Sequence, residues 1–428
     1  MSMLQHLTKV ALRPGGAMNR RSFIRRIAGG TLAAGALSWL DVMTLKAAEL
    51  RERGMSCILL WMAGGPSQFE TFDPKPGEDT GGPTKTIQTA LPGIEIAEAW
   101  PNVAKAMGDI SLVRSMTNRE GNHQRASYQL HTGYVPTGTV KHPAFGSIVA
   151  SELGDFDLTL PHFVSVGQTL GPGFLGVDYA PFVVQNPSEM PANVTIPVSR
   201  ERFSRRLSLL KRLQQDFASS GGKARVEDQL ALYDRASQMV LSPDIKAFDL
   251  SDEKTELREA YGQNTFGQGC LLARRLVEAG VTFIEVRSNG WDTHQNNFDR
   301  TATLAAQVDP GFATLVTDLK QRGLLDKTLV IWMGEFGRTP RINGNTGRDH
   351  YPRAFNLAMA GAGIRGGRVI GKTSKEGTEV ADRPVSVADL FCTWCHALKI
   401  DPRKENMSPL GRPIKLVDGG SPVSELFS

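Results

Sequence analysis

Five short stretches of the chain, 57–62 (CILLWM), 110–113, 162–166, 281–286 (VTFIEV) and 328–333 (TLVIWM), are dense in apolar and β-branched residues. They lack polar alternation. A strand with one wet face alternates polar and apolar residues, whereas one covered on both faces reads as a continuous apolar run, so these are expected to be buried, parallel strands. Between them, apolar positions repeat at helical spacing over 145–153, 201–218, 226–240, 267–279 and 301–321. This order of elements predicts an α/β fold, a mostly parallel sheet with helices on both faces. The Arg/Leu-rich stretch inside about 199–262 has no strand signal between its two helical patterns and is expected to be a helical insertion, its charges a solvated face. The rest of 49–428 is expected to form one domain. No repeat with a period of roughly 20 to 50 residues is present, which argues against a solenoid.

Composition changes this picture at the N-terminus. The formal charge is +5, from 49 Lys+Arg against 44 Asp+Glu, but the first 48 residues hold seven bases and one acid. The remaining chain has 42 bases and 43 acids, so the sequence pI near 9.0 is a property of the N-terminal segment. A basic, nucleic-acid-binding body is disfavoured. Asn19-Arg20-Arg21-Ser22-Phe23-Ile24-Arg25-Arg26 precedes a Gly/Ala-rich apolar run over 27–40, too short to span a bilayer comfortably. Paired arginines, a Phe two residues later and a mildly apolar core make residues 1–48 a twin-arginine signal peptide, with cleavage expected near Ala47 or Ala48. A periplasmic or secreted protein follows, with the twin-arginine export machinery as a partner and no stable membrane span after cleavage. Because that route carries folded proteins, a cofactor or metal acquired before export fits it.

Four cysteines in 428 residues give no disulfide framework. Cys57 and Cys270 sit in apolar runs as core filler. Cys392-Thr393-Trp394-Cys395-His396 matches the c-type haem attachment pattern. Yet Val387, Leu390, Phe391, Cys395 and Leu398 repeat at helical spacing, and covalent haem attachment to an unfolded exported chain conflicts with prefolded export. An amphipathic core helix without haem is expected.

In open α/β sheets, ligands bind beyond the carboxyl ends of the strands. Three loops there are rich in Gly and metal-competent side chains: Gly64 to Pro74, Ser288 to His294, and Gly334 onward to His350. Asp292 and His294 are two apart, so in an extended segment both point to one side and can grip one ion. A carboxylate with an imidazole suits zinc, manganese or iron better than calcium. The alternative is that Asp292 caps the helix ahead and His294 is a surface residue. Glu335 directly follows an apolar strand, where a carboxylate needs a cation. Asp349 and His350 form an adjacent pair that reads equally as a turn beside a surface histidine. Arg338, Arg341, Arg348 and Arg353 lie among these acids, suited to neutralise carboxylates or to clamp a phosphate or sulfate.

The segments GGPSQFETFDPKPG, NHQRASYQLHTGY, GWDTHQNNF, GEFGRTPRINGNTGRDHYP and GGRVIGKT together resemble the exported family called domain of unknown function 1501, itself similar to the alkaline phosphatase and sulfatase superfamily. The resemblance implies an alkaline-phosphatase-like core, metal ligands on loops after the strands, and attack on a phosphate or sulfate ester. By it Asp292 and His294 match the superfamily's Asp/His pair, Glu335 its later acidic ligand and His350 its last histidine. Two departures stand out. Gly64-Gly65 replaces the Asp after the first strand, leaving Glu70 or Asp73 as substitutes, and counting back from Thr132-Gly133 to the nucleophile position reaches His123, not Ser, Thr or Cys. Asn122, His123, Ser127 and His131 offer side chains nearby, the last three on one helical face, to serve in the nucleophile's place, as second metal ligands or as packing.

The expected metal ligands are therefore Asp292, His294, Glu335, Asp349, His350 and Asp73, for a divalent ion such as zinc or manganese. His123, Arg338 and Arg348 are the expected catalytic residues. The leading expectation is an exported metal-dependent hydrolase acting on an anionic phosphate or sulfate ester. The alternatives are a non-catalytic binding or assembly protein that keeps the fold, and a haem electron-transfer protein. One prediction concerns the leader alone. Replacing Arg20 and Arg21 by Lys should hold the protein in the cytoplasm, measured by fractionation; normal export of the double variant would refute the assignment.

Overall fold

The computed structural model describes residues 54–428 apart from 156, 193, 195, 197 and 218–222, and before them only the strand pair Val10–Leu12 and Gly16–Met18. Arg20, Arg21 and the apolar run over 27–40 lie outside the described residues. Among those described, no helix is long and apolar enough to cross a membrane.

An eight-stranded sheet forms the centre. Its strands are β1 (Ser56–Ala63), β2 (Ile110–Met116), β3 (Phe163–Val166), β4 (Phe182–Val184), β5 (Phe283–Asn289), β6 (Thr328–Met333), β7 (Phe355–Ala360) and β8 (Val369–Ile370). Their order across the sheet is β8-β2-β7-β6-β1-β5-β3-β4. Only β7 runs antiparallel to its neighbours. The carboxyl ends of β1, β5 and β6, side by side at the centre, therefore open onto one edge.

Both faces of the sheet are covered, which is why its central strands carry no polar alternation. Ile58, Leu60 and Met62 of β1, with Val330 and Trp332 of β6, enter one apolar layer, while Cys57, Leu59 and Trp61, with Leu329, Ile331 and Met333, enter the other. The first layer is closed by the helices Thr265–Glu278 and Asn297–Gln321, the second by Phe145–Leu153 and Val387–Ala397. Between β4 and β5 lie three further α-helices among the described residues, Arg200–Phe217, Lys223–Leu241 and Thr255–Tyr261. Cys392 and Cys395 do sit on a helix, Val387–Ala397, opened by a Ser386/Asp389 capping box; both cysteines are buried in the second layer.

The helices of the first layer are joined by buried charge. The guanidinium of Arg274, fully buried, pairs with Glu253 at 2.8 Å, Glu278 at 2.5 Å and Asp318 at 3.1 Å. Arg275 reaches Glu253 at 2.6 Å and Arg322 bridges Glu278 and Asp318 at 2.8 and 2.6 Å. Removing one member strands the others without water, so Arg274→Met should cost about 3–5 kcal/mol in chemical denaturation. Burial works to raise the carboxyl of Glu253, but Arg274 and Arg275 prevail and hold it below its ordinary value. Its contribution is thus present above the ordinary carboxylate range and lost as pH falls through the lowered native value. Glu253→Gln should therefore flatten the loss of stability on acidification; an unchanged acid-unfolding profile would contradict this.

A third prediction comes from the cysteine helix. Cys392→Ala with Cys395→Val should cost about 1–3 kcal/mol through altered packing. The parent protein should show no Soret band, and a band abolished by the double change would restore the haem reading.

Candidate metal centre

The strand-to-loop transition at β5 sets the first two ligands. Beyond Gly290 burial alternates along the chain: Trp291 and Thr293 are buried, the indole donating to Ser288 Oγ at 3.0 Å and the Thr293 hydroxyl to Asn297 Oδ1 at 2.6 Å. Asp292 and His294 consequently face outward together, as their spacing predicts.

Asp292 Oδ1 is a point of convergence. It lies 3.1 Å from His294 Nε2, 3.3 Å from His350 Nε2 and 3.3 Å from His123 Nε2. His294 Nε2 and His350 Nε2 are themselves 2.9 Å apart. Potential ligand atoms of His123, Asp292 and His350 all fall within 4.8 Å of one another. Four donors from a helix start and two distant loops thus meet, although His123 and His350 are far apart in sequence.

Each of the three imidazoles is held from behind through its other nitrogen. His123 Nδ1 is 2.7 Å from Glu335 Oε1, His294 Nδ1 is 2.8 Å from Asp349 Oδ1, and His350 Nδ1 is 2.8 Å from the carbonyl of Gly121. An acceptor at Nδ1 fixes the proton there and leaves the Nε2 lone pair free, the usual arrangement behind histidines that bind metal. The fit to an ion has a further mark: His123 Nε2 is buried from solvent and has no hydrogen-bond partner among the described residues. Such an atom is costly unless something occupies its lone pair. Three imidazole nitrogens and one carboxylate oxygen form a set suited to zinc or another borderline transition ion.

Charge is arranged to keep the oxygen ionised. Burial alone pushes the Asp292 carboxyl up, but the hydrogen bond and charge of Arg338, helped by His123 and His294, bring it down to about 2. Burial pushes the His350 imidazole down, favouring the neutral form a metal requires, while the hydrogen bond to Glu335 pulls His123 up.

The other expected residues are distributed as follows. Glu335 and Asp349 belong to the cluster through His123 and His294. Glu335 is buried, and the group beside it is the His123 imidazole, with the backbone N–H of Gly64 at 3.0 and 3.2 Å from its two oxygens. Gly64 occupies the place of the acid expected after the first strand. Its φ is +119°, and a Cβ there would collide with the backbone nitrogen of Asp292, so only glycine lets the two loops approach. Neither proposed substitute joins the cluster: Glu70 pairs with Arg348 at 2.9 Å, and Asp73 pairs with Lys75 at 2.9 Å and accepts from Thr373 at 2.5 Å. Arg338 is fully buried and touches the cluster at Asp292, 2.6 Å away, but its remaining donors go to the carbonyls of Gly64, Gly65, Trp291 and Arg348. Arg348 donates to Glu70 and to the carbonyls of Thr80, Thr339 and Pro340, and stacks on Phe69 at 4.3 Å, away from the cluster. Both arginines therefore brace loops. His131 points into the second layer instead, against Glu285 at 3.3 Å and Trp61 at 4.2 Å between centroids.

One feature had only a weak sequence signal. His123 opens the helix His123–Thr132, capped by Asn122, and rests with His350 on the ring of Phe336, at 4.9 and 4.6 Å. Its place at the nucleophile position marked it, while its partner Glu335 could not be read from spacing. His123, His294 and His350 keep 32%, 42% and 26% of their side-chain surface exposed, so the cluster opens to solvent on one side.

No curated protein matches the chain. Solved structures similar to it include a sulfatase from Pseudoalteromonas sp. (14% identity, 84% of this chain and 71% of that chain, TM-score 0.36). A phosphonate monoester hydrolase of Agrobacterium radiobacter is similar at 14% identity, over 87% and 77% of the two chains, with TM-score 0.33. A protein in the alkaline phosphatase superfamily from Vibrio parahaemolyticus aligns at 12% identity over 82% and 67%, with TM-score 0.37. Residues 55–427 match the family model described as Protein of unknown function (DUF1501), and the chain belongs to that family.

Proposed function

We propose that this protein is an exported, metal-dependent hydrolase of phosphate or sulfate esters, with Asp292, His123, His294 and His350 as the metal-binding set. The observation that carries the reading is the shared geometry of the three histidines, each tied at Nδ1 and each presenting Nε2 to one carboxylate oxygen. When bound, a divalent ion supplies Lewis-acid polarisation of the ester oxygen and a more acidic water. The chain's own residues orient and balance the site. Glu335, Asp349 and the Gly121 carbonyl fix the imidazole tautomers, and Arg338 keeps Asp292 ionised. The half-exposed side leaves room for an anionic substrate. A separate open groove of about 590 Å³ is lined in part by Asp79, Thr339, Arg341 and Tyr351, and its exposed Arg341 could meet a negative group.

A second reading, a non-catalytic ion-binding protein, is favoured by one feature: the position where a hydroxyl or thiol nucleophile is expected holds His123, whose Nδ1 is committed to Glu335. The two readings separate in one experiment. Protein recovered after export should carry a transition metal and hydrolyse aryl phosphates or aryl sulfates. A chelator should abolish that hydrolysis, and zinc or manganese should restore it. Hydrolysis indifferent to chelation would end the metal-dependent reading; bound metal with no hydrolysis across the panel would establish the second. Glu335→Gln, which leaves all four ligands in place, should weaken metal affinity about 10- to 100-fold in a competition titration. Unchanged affinity would remove Glu335 from the centre.

A further inference from the structure

Away from the metal centre, the helix Arg200–Phe217 presents an unusual outer surface. At about 100° per residue, positions 202, 205, 206, 209, 212 and 213 fall within roughly a third of the helix circumference. All six are exposed, and they mix arginine with leucine: Arg202, Arg205, Arg206, Leu209, Arg212 and Leu213. Leu209 and Leu213 are 58% and 60% exposed, in the middle of that face, while Phe203, Leu207 and Leu210 turn the other way and are partly buried. Lys211, on the opposite side of the helix, pairs at 2.5 Å with Asp234 of the neighbouring helix Lys223–Leu241. The helix Arg200–Phe217 holds six bases against two acids, although the chain after residue 48 is nearly neutral as a whole.

We infer that this face docks on an anionic lipid bilayer surface, the arginines on headgroup phosphates and Leu209 and Leu213 in the interfacial region. A helix with a basic rim around apolar side chains, and too polar to span, lies in the plane of an interface. Arginine suits this place because its apolar stem follows the leucines while its head stays with phosphate. A soluble polyanion would recognise the arginines and gain nothing from leucines at their centre. A second copy of the same face would set arginine against arginine. Docking through this helix is independent of the metal centre and places the protein on a membrane without crossing it.

The test uses the full mature chain, sedimented with vesicles of phosphatidylcholine alone or with about 30% phosphatidylglycerol, an anionic content that attracts basic segments. Binding is expected only to the anionic vesicles, and should weaken at high salt. Arg205→Gln with Arg212→Gln should reduce it about 10-fold or more, since each surface arginine near such a membrane is worth roughly fivefold. Leu209→Ser with Leu213→Ser should also reduce it at unchanged charge, and both pairs of changes, at exposed positions, should leave the thermal midpoint in place. Absence of binding at low salt, or equal binding to neutral vesicles, would overturn the inference. So would a leucine variant that binds as the parent does, particularly with equally tight binding to soluble polyphosphate, since that pattern identifies a polyanion site.

Discussion

The guanidinium of Arg338 ties together the loops that follow three strands. One planar group, wholly buried, donates to carbonyls of Gly64 and Gly65 after β1, of Trp291 after β5 and of Arg348 beyond β6, and pairs with Asp292. A buried guanidinium is expensive to desolvate, and only a full set of acceptors offsets it. That requirement is what binds the loops. Once Arg338 is satisfied, Asp292 is fixed and ionised, the backbone of Gly64 lies against it, and the amide of Gly64 is in turn aimed at Glu335. The histidines are arranged around a frame whose charge is already settled.

This division of labour is why two arginines expected at the chemistry are found bracing it. Arginine is suited to clamping an oxyanion because it has five fixed donors; Arg338 and Arg348 direct theirs largely at protein acceptors. The exposed Arg341 stands apart, on a separate open groove. Positive charge in this protein therefore does two separate things. Buried, it shapes loops; exposed, as at Arg341, it lines a groove open to solvent.

The parts of the fold that were legible in the sequence are those where burial is two-sided. Strands β1, β5 and β6 and the helices flanking them stand out because a continuous apolar run, or an apolar stripe at helical spacing, would be costly to leave in water and so marks an element covered by others. Strand β7 (FNLAMA) carries no such mark: it has no β-branched residue, and its Asn356 is polar yet buried, satisfied by Thr71 and Gln68. The short edge strands β4 and β8 have too few residues to form a pattern. In the site, Asp292 and His294 were readable because their spacing alone puts them on one side of an extended chain, and His350 followed from the same loop logic. What sequence could not supply was direction. Asp73 follows the first strand as plausibly as Asp292 follows the fifth, but its loop turns it onto Lys75; and Glu335 and Asp349 act by holding imidazoles, a role that depends on distances set by the whole sheet.

The strand order has a consequence for synthesis. β1 is the first strand of the sheet to be made and sits at its centre, yet its two neighbours, β5 and β6, lie more than two hundred residues further on. At ~5–20 residues per second, roughly 10 to 45 seconds pass before either is available. Throughout that interval an eight-residue strand with the sequence SCILLWMA has both edges unpaired and both faces uncovered, the profile of a segment that adheres to other chains. The decisive pairing of β1 therefore waits until β5 and β6 have been made, and until then the growing chain carries an apolar strand with nothing to pair with.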